Sequence, residues 1–386
     1  MPDTAFVYDE SLGRYELSPE HPFKPLRLEL TRTLARACNL LDDALEVTPE
    51  PLGRAALLKL HDADYVAAVE AVSHGEHVPD AVRYGLGTTD NPIFPNMHEA
   101  ILAVCSASVT AARLLGAGEM MRVASFSGGL HHAMRDQMSG FCTYNDAALS
   151  IHELVTHFGK RVTYIDLDAH HGDGVQDFFY TSDKVLTFSA HESGRYLFPG
   201  TGFVEETGAG KGHGSSLNLP LEPFTEDASY LAGLKAVLPR ALDAFRPDII
   251  VLQAGADMHR NDPLSHLSLS VEGITESYRL VSDLADTYCG GRLLALGGGG
   301  YDPYRTVPRL WTLLWAILSR QALPERIPES WRETWEPRLG ITLPKQFFDD
   351  TESWPTVPHR SEIEAKNAST VKRVLATLEP LWTRPS

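Results

Sequence analysis

The chain has 386 residues, 43% of them hydrophobic and 22% charged, which suits one large α/β domain or two ordinary ones with a globular core. A formal net charge of −17 counts against direct nucleic-acid binding and tilts the preference toward cationic partners such as basic protein segments or polyamines. Four scattered cysteines (Cys38, Cys105, Cys142, Cys289) form no CxxC pair, so neither a disulfide framework nor a zinc ribbon is expected. No apolar stretch nears the roughly 18 residues that span a bilayer, and "MPDTAFVYDESLGRYEL" lacks the regions of a signal peptide. The expected location is the cytoplasm, with no membrane partner.

In chain order, helical periodicity first runs over 98–116, followed by an apolar run "MRVASF" (121–126) that reads as a strand. Asn145 then stands as an N-cap before a helix over 145–158. Strands follow at "RVTYIDL" (161–167) and "KVLTFSA" (184–190), then a helix over 226–245. "DIIVLQAG" (248–255), a helix over 271–289 and "RLLALGG" (292–298) complete the alternation. Continuous apolar runs alternating with amphipathic helices predict a single parallel sheet covered on both faces. Residues 1–320 are expected to form one domain. Residues 321–386 read as a proline-rich, irregular extension packed on it, with a last helix near 361–378.

The unusual residues all follow strands, where the loops of an open parallel sheet build ligand sites. "MRVASF" leads into "SGGLHHAM", "VTYIDL" into "DAHHGDG", "IIVLQAG" into "ADMHRNDP" and "LLALGG" into "GGYDP". If the segment after the second strand stays extended, Asp166, Asp168 and His170 share one face while Leu167 and Ala169 point into the packed layer. Asp168 and His170 then offer oxygen and nitrogen ligands to a cation, with Asp257 the natural third. That set suits zinc or ferrous iron with one position open. The competing reading is that Asp168 and His170 only cap a helix or pair with each other. A dinuclear manganese site of the arginase type wants a further carboxylate two places after the histidine, where this chain has Gly172. His131 and His132 follow a glycine pair, and imidazoles with a pKa of about 6.5 suit proton transfer. Asp166 and Asp173 remain free to orient them, as two His-Asp dyads. Tyr301 emerges from four consecutive glycines, where a phenol could face a developing oxyanion; a structural turn with a packed tyrosine is the alternative.

Taken together, "GGLHHA", "YIDLDAHHGDG", "FPGTG", "GAD" and "LGGGGY", in this order, resemble the zinc-dependent histone deacetylase family over roughly residues 5–320. "PEHPFKPLRLEL" and "GLGTTDNPIFPNMHEA" resemble its bacterial acetoin-utilisation branch. The resemblance implies an eight-stranded parallel α/β sheet and hydrolysis of acetyl-lysine in proteins. It implies metal binding by Asp168, His170 and Asp257. It implies a general base at His132 paired with Asp173, an electrostatic partner at His131 paired with Asp166, and a carbonyl-polarising Tyr301. Phe141 and Phe198 resemble the walls of an acyl-lysine tunnel, with the Gly140 carbonyl facing the substrate amide; otherwise they are core aromatics. Asp90 resembles a rim residue that holds substrate backbone, and Arg27 an inner-cavity arginine. A potassium site is implied at Asp166, Asp168, His170, Ser189 and Ala190. Leu264 stands where polyamine-selective relatives carry a glutamate, which favours acetylated protein over acetylpolyamine. The branch also suggests an acyl-CoA synthetase as a protein substrate.

Overall fold

A computed structural model describes residues 3–42 and 45–378. Among these, the strands are β1 (Thr4–Val7), β2 (Glu46–Val47), β3 (Arg122–Ser125), β4 (Val162–Asp166), β5 (Val185–Glu192), β6 (Ser216–Leu221), β7 (Ile249–Gln253) and β8 (Leu293–Leu296). They pair in parallel throughout, in the order β2-β1-β3-β8-β7-β4-β5-β6. The five strands legible in the sequence are β3, β4, β5, β7 and β8, each slightly displaced at its ends. The other three lie toward the two edges. β2 has two residues, and β6 carries Pro220, which removes a ladder donor and is tolerated only near an edge.

The helices are α1 (Leu26–Ala37), α2 (Arg54–Leu57), α3 (Ala63–Ser73), α4 (Met97–Gly116), α5 (Asp146–Thr156), α6 (Asp173–Phe179), α7 (Asp227–Phe245), α8 (Val271–Cys289), α9 (Thr306–Leu318), α10 (Glu329–Leu339) and α11 (Arg360–Thr377). One layer is built from α3, α4, α5 and α6; the other runs α1, α9, α8, α7, α11 in side-by-side contact. Every residue of β3, β4, β7 and β8 is buried, as central parallel strands covered on both faces must be. The α9 tryptophans fill the space over β1 and β3: Trp311 stacks on Phe126 at 5.3 Å, and Trp315 meets Phe6 edge-on at 5.2 Å. Their indole N–H groups donate to Ala254 and Leu40 carbonyls, so the large rings are buried without an orphan donor.

Two sequence expectations need correction. Helix α4 is long and apolar enough, by length and composition, to cross a membrane, where no such stretch was expected. It is a core helix here, mostly buried, and its small Ala and Ser residues let it approach α5 and β3. The extension beyond 320 is also more regular than its prolines suggested. α10 forms despite Pro337, because Trp331 and Trp335, one turn apart, anchor it on α1 through Thr33 Oγ1 at 3.0 and 3.2 Å. α11 packs on α7 and on β6, and its buried Asn367 accepts the Glu222 N–H and donates to Thr225 and Ser229. The final eight residues of that extension, 379–386, lie outside the described residues.

Candidate active site

Because all strands run the same way, the loops after β3, β4, β5, β7 and β8 meet at one rim of the sheet. The expected extended alternation after β4 does not occur, since that strand ends at Asp166. Instead Asp166 Oδ1 accepts the Asp168 N–H and Asp168 Oδ1 accepts the His170 N–H, both at 3.0 Å. Two successive side-chain-to-backbone turns thus replace the pleat, because aspartate competes well for nearby N–H groups. They still bring Asp168 and His170 together. Asp257, after β7, is locked by the Ala169 N–H at 2.9 Å, and its Oδ2 lies 2.9 Å from His170 Nδ1.

One ligand atom from each of Asp168, His170 and Asp257 falls within a 4.8 Å cluster, and all three residues are buried. Burial, reinforced by the charge on Asp168, pushes the Asp257 carboxyl up to about 7. Two buried carboxylates facing one imidazole are short of positive charge, and a divalent cation fits that donor set. Space is kept for it by glycine: a Cβ on Gly299 would sit 2.1 Å from Asp257 Oδ2. The Gly299 N–H donates instead to Asp168 Oδ2 at 2.6 Å.

Both His-Asp pairs form as the resemblance implied. His131 Nδ1 lies 2.8 Å from Asp166 Oδ2, and His132 Nδ1 lies 2.7 Å from Asp173 Oδ1. The two rings are 4.0 Å apart. Burial lowers the pKa of His131, but Asp166 and then Asp168 outweigh it and push the imidazole up to about 9. For His132, burial and the neighbouring His131 charge prevail over Asp173 and push it down to about 4. One ring is therefore disposed to carry charge and the other to be neutral. The segment bearing them is held from below by Asp146, which accepts the N–H groups of Gly129 and Leu130, and by Asn145, which donates to the His131 and Ala133 carbonyls.

Tyr301 stands over the cluster, its ring 6.4 Å from that of His170 and 5.8 Å from that of Phe141. Burial, then Asp257 and Asp168, raise its phenol well above the ordinary value, so it stays a donor. Phe198 is 48% exposed and lies edge-on to His132 at 5.0 Å, which sets it at the site's mouth rather than in the core. Phe141 is half-buried opposite. The Gly140 carbonyl accepts the Cys142 thiol at 3.1 Å. Asp90 is exposed next to Asn91, whose Oδ1 accepts the Phe141 N–H at 2.9 Å. Leu264 is half-buried on the loop after β7. Arg27 lies beneath the site, between Phe23 and Trp311, and donates to the Gly300 carbonyl at 3.1 Å. Asp166 and Ser189 are register partners on β4 and β5, with Ala190 next along β5; the Ser189 hydroxyl is 2.8 Å from His191 Nδ1.

Tyr15, His21 and Asp262 belong to this frame but were not singled out from sequence. Phe141 has φ +70°, strained for a bulky side chain. The Tyr15 hydroxyl holds it by donating to its carbonyl at 2.6 Å, and His21 packs edge-on against its ring at 4.4 Å. Asp262, buried in "NDP", accepts the Tyr301 N–H. An Asp-Pro pair just past a strand signals a turn, but nothing local tells that its second oxygen reaches another loop.

Comparison with known proteins identifies the family. Residues 21–318 match the family model described as histone deacetylase domain. The chain belongs to the histone deacetylase family. It is 42% identical to the acetoin utilization protein AcuC of Bacillus subtilis (strain 168), over 97% of each chain, and 38% identical to that of Staphylococcus xylosus, over 97% of this chain and 98% of the relative. The crystal structure of an HDAC homologue from Aquifex aeolicus superposes with a TM-score of 0.83 at 30% identity, covering 96% of this chain and 99% of the other. An HDAC homologue solved in complex with SAHA gives 0.81 at 31% identity, covering 99% and 100%. These matches support a hydrolase of the deacetylase type in the acetoin-utilisation branch and the eight-stranded fold.

Proposed function

We propose that the chain hydrolyses the acetyl amide of Nε-acetyl-lysine in cytoplasmic proteins, releasing acetate and lysine. The observation that carries this reading is the buried Asp168, His170, Asp257 cluster with two His-Asp pairs on one side and Tyr301 on the other, beneath two aromatic rings. Asp168, His170 and Asp257 would hold zinc or ferrous iron, and the Asp166 and Ser189 neighbourhood a potassium ion. When bound, the divalent cation supplies Lewis acidity that polarises a carbonyl and acidifies water.

The chain's own groups do the rest. Phe141 and Phe198 flank the lysine methylenes, excluding water from the stem. His132, neutral and oriented by Asp173 through Nδ1, takes a proton from the attacking water at Nε2. The Tyr301 hydroxyl donates to the oxygen that gains charge as the carbonyl carbon becomes tetrahedral. His131, held protonated by Asp166, adds positive potential without exchanging its proton. Protonated His132 then delivers its proton to the lysine nitrogen as the C–N bond breaks. Four free thiols are in keeping with a reducing compartment.

A second reading, hydrolysis of acetylpolyamines, differs at the rim. Leu264 offers a distal ammonium no carboxylate there, which favours protein substrates, an acyl-CoA synthetase among them. The test is kcat/KM of the metal-loaded protein on acyl-lysine peptides and on acetylspermidine or acetylputrescine. Peptides should lead, and Leu264→Glu should move the ratio toward polyamines. A higher value for acetylspermidine in the unmodified protein would replace the first reading with the second.

A further inference from the structure

Resting on that reading, we propose that Asp262 is a positioning residue for Tyr301, fixing the phenol's direction and tying it to the rim at Leu264. Tyr301 is reached through four glycines, of which Gly298 and Gly300 have φ of +129° and +143°. Such a run has no side chains with which to anchor itself, so the phenol points wherever the backbone is held. Its last two glycines and Tyr301 are held by neighbouring groups. The Gly299 N–H goes to Asp168 and its carbonyl accepts the Ala256 N–H at 2.8 Å, while the Gly300 carbonyl accepts from Arg27. The peptide N–H of Tyr301 itself donates to Asp262 Oδ2 at 2.7 Å. Beyond it, the Asp302 carbonyl already caps the start of α9.

Asp262 is 7% exposed, and a buried carboxyl group is costly unless its oxygens are satisfied. Closing its own turn needs only Oδ1, which accepts the Leu264 N–H at 2.9 Å. Turn chemistry leaves the second oxygen unexplained, because it reaches a loop 39 residues away. An asparagine would close the turn equally well but would set an NH₂ group against the second N–H. The two-sided acceptor therefore joins two loops: the one that carries the oxyanion donor and the one that borders the substrate.

The test is a double-mutant cycle on the metal-loaded protein with an acetyl-lysine peptide. Asp262→Ala should lower kcat about tenfold or more with KM within about threefold and metal content unchanged, since an interaction realised in the transition state is lost chiefly from kcat. In a Tyr301→Phe background the same substitution should cost less than about threefold, because the group it positions is gone. Equal losses in both backgrounds, a loss carried by KM, or no loss would overturn the proposal. Should the alanine variant fail to fold, as judged by circular dichroism, Asp262→Asn is nearly isosteric, breaks one of the two bonds, and is read by the same criteria. Tyr301→Phe alone separates the two levels: wild-type kcat there sinks the oxyanion assignment and this proposal with it, whereas a large drop with additive Asp262 effects sinks only the positioning role.

Discussion

Removing the carboxylate of Asp349 should cost the fold about 3–5 kcal/mol, because it strands a buried guanidinium. Asp349 lies in the C-terminal extension, and its side chain is 10% exposed against 6% for Arg309. Oδ1 accepts from Arg309 Nη1 at 2.8 Å, while Oδ2 lies 3.0 Å from His259 Nε2 and accepts the Val271 N–H at the start of α8 at 2.8 Å. Hydrogen bonds to charged groups contribute about 1.5–3 kcal/mol each, and an acceptor at a helix start adds about 0.3–1 kcal/mol. Arg309 keeps the Phe347 and Arg305 carbonyls, which holds the total at the stated range. Asp349→Asn retains an acceptor and should cost roughly half as much. Burial raises this carboxyl, but His259 and Arg309 outweigh it and hold it well below the usual carboxylate range. A depressed folded pKa gives stability that is full above the unfolded value, about 3.9, and lost as pH falls through the folded one. The gap between wild type and Asp349→Ala should thus narrow as pH falls below about 4. Urea unfolding followed by fluorescence and circular dichroism, at one fixed metal concentration, measures it. A variant within about 0.5 kcal/mol of wild type, or a gap unchanged at acid pH, would refute the reasoning.

Asp168→Ala, His170→Ala and Asp257→Ala should each lose the bound divalent cation and turnover together, as metal analysis beside activity will report. Tyr301→Phe keeps the ring contact with Phe141 and should lower kcat by about 10²–10³ with metal retained; an unchanged kcat would make the glycine turn purely structural. Gly299→Ala drives a methyl to 2.1 Å from Asp257 Oδ2 and should weaken metal affinity, read by competition with a chelator, more than it lowers thermal stability.

The residues that the sequence betrayed are those whose chemistry is costly where it stands. His131, His132, Asp166, Asp168, His170 and Asp173 crowd behind β-branched runs, and no core or surface needs them there. Their pairing came from the family resemblance, and the hydrogen-bond distances agree with it. The strands flanked by long apolar runs were equally legible, because burial on both faces writes itself as continuous hydrophobicity. What stayed hidden was non-local. β2 is two residues long and exists by pairing with β1; α10 contradicts its proline because two tryptophans reach α1. The turns after Asp166 replaced a pleat because side-chain acceptors outcompeted extended backbone. Tyr15, Asn91 and Asp262 carry ordinary local signatures, and their roles appear only once distant loops meet.

The sheet's two margins differ in what they would offer a neighbouring molecule. On one side β2 is too short to template another chain. On the other, β6 presents six residues, and α11 from the extension packs against it and α7. The longer of the two border strands is thus the one against which a helix of the extension packs. A chain lacking α11 would leave that longer border without its packing partner, and strand exchange between copies would be expected there first.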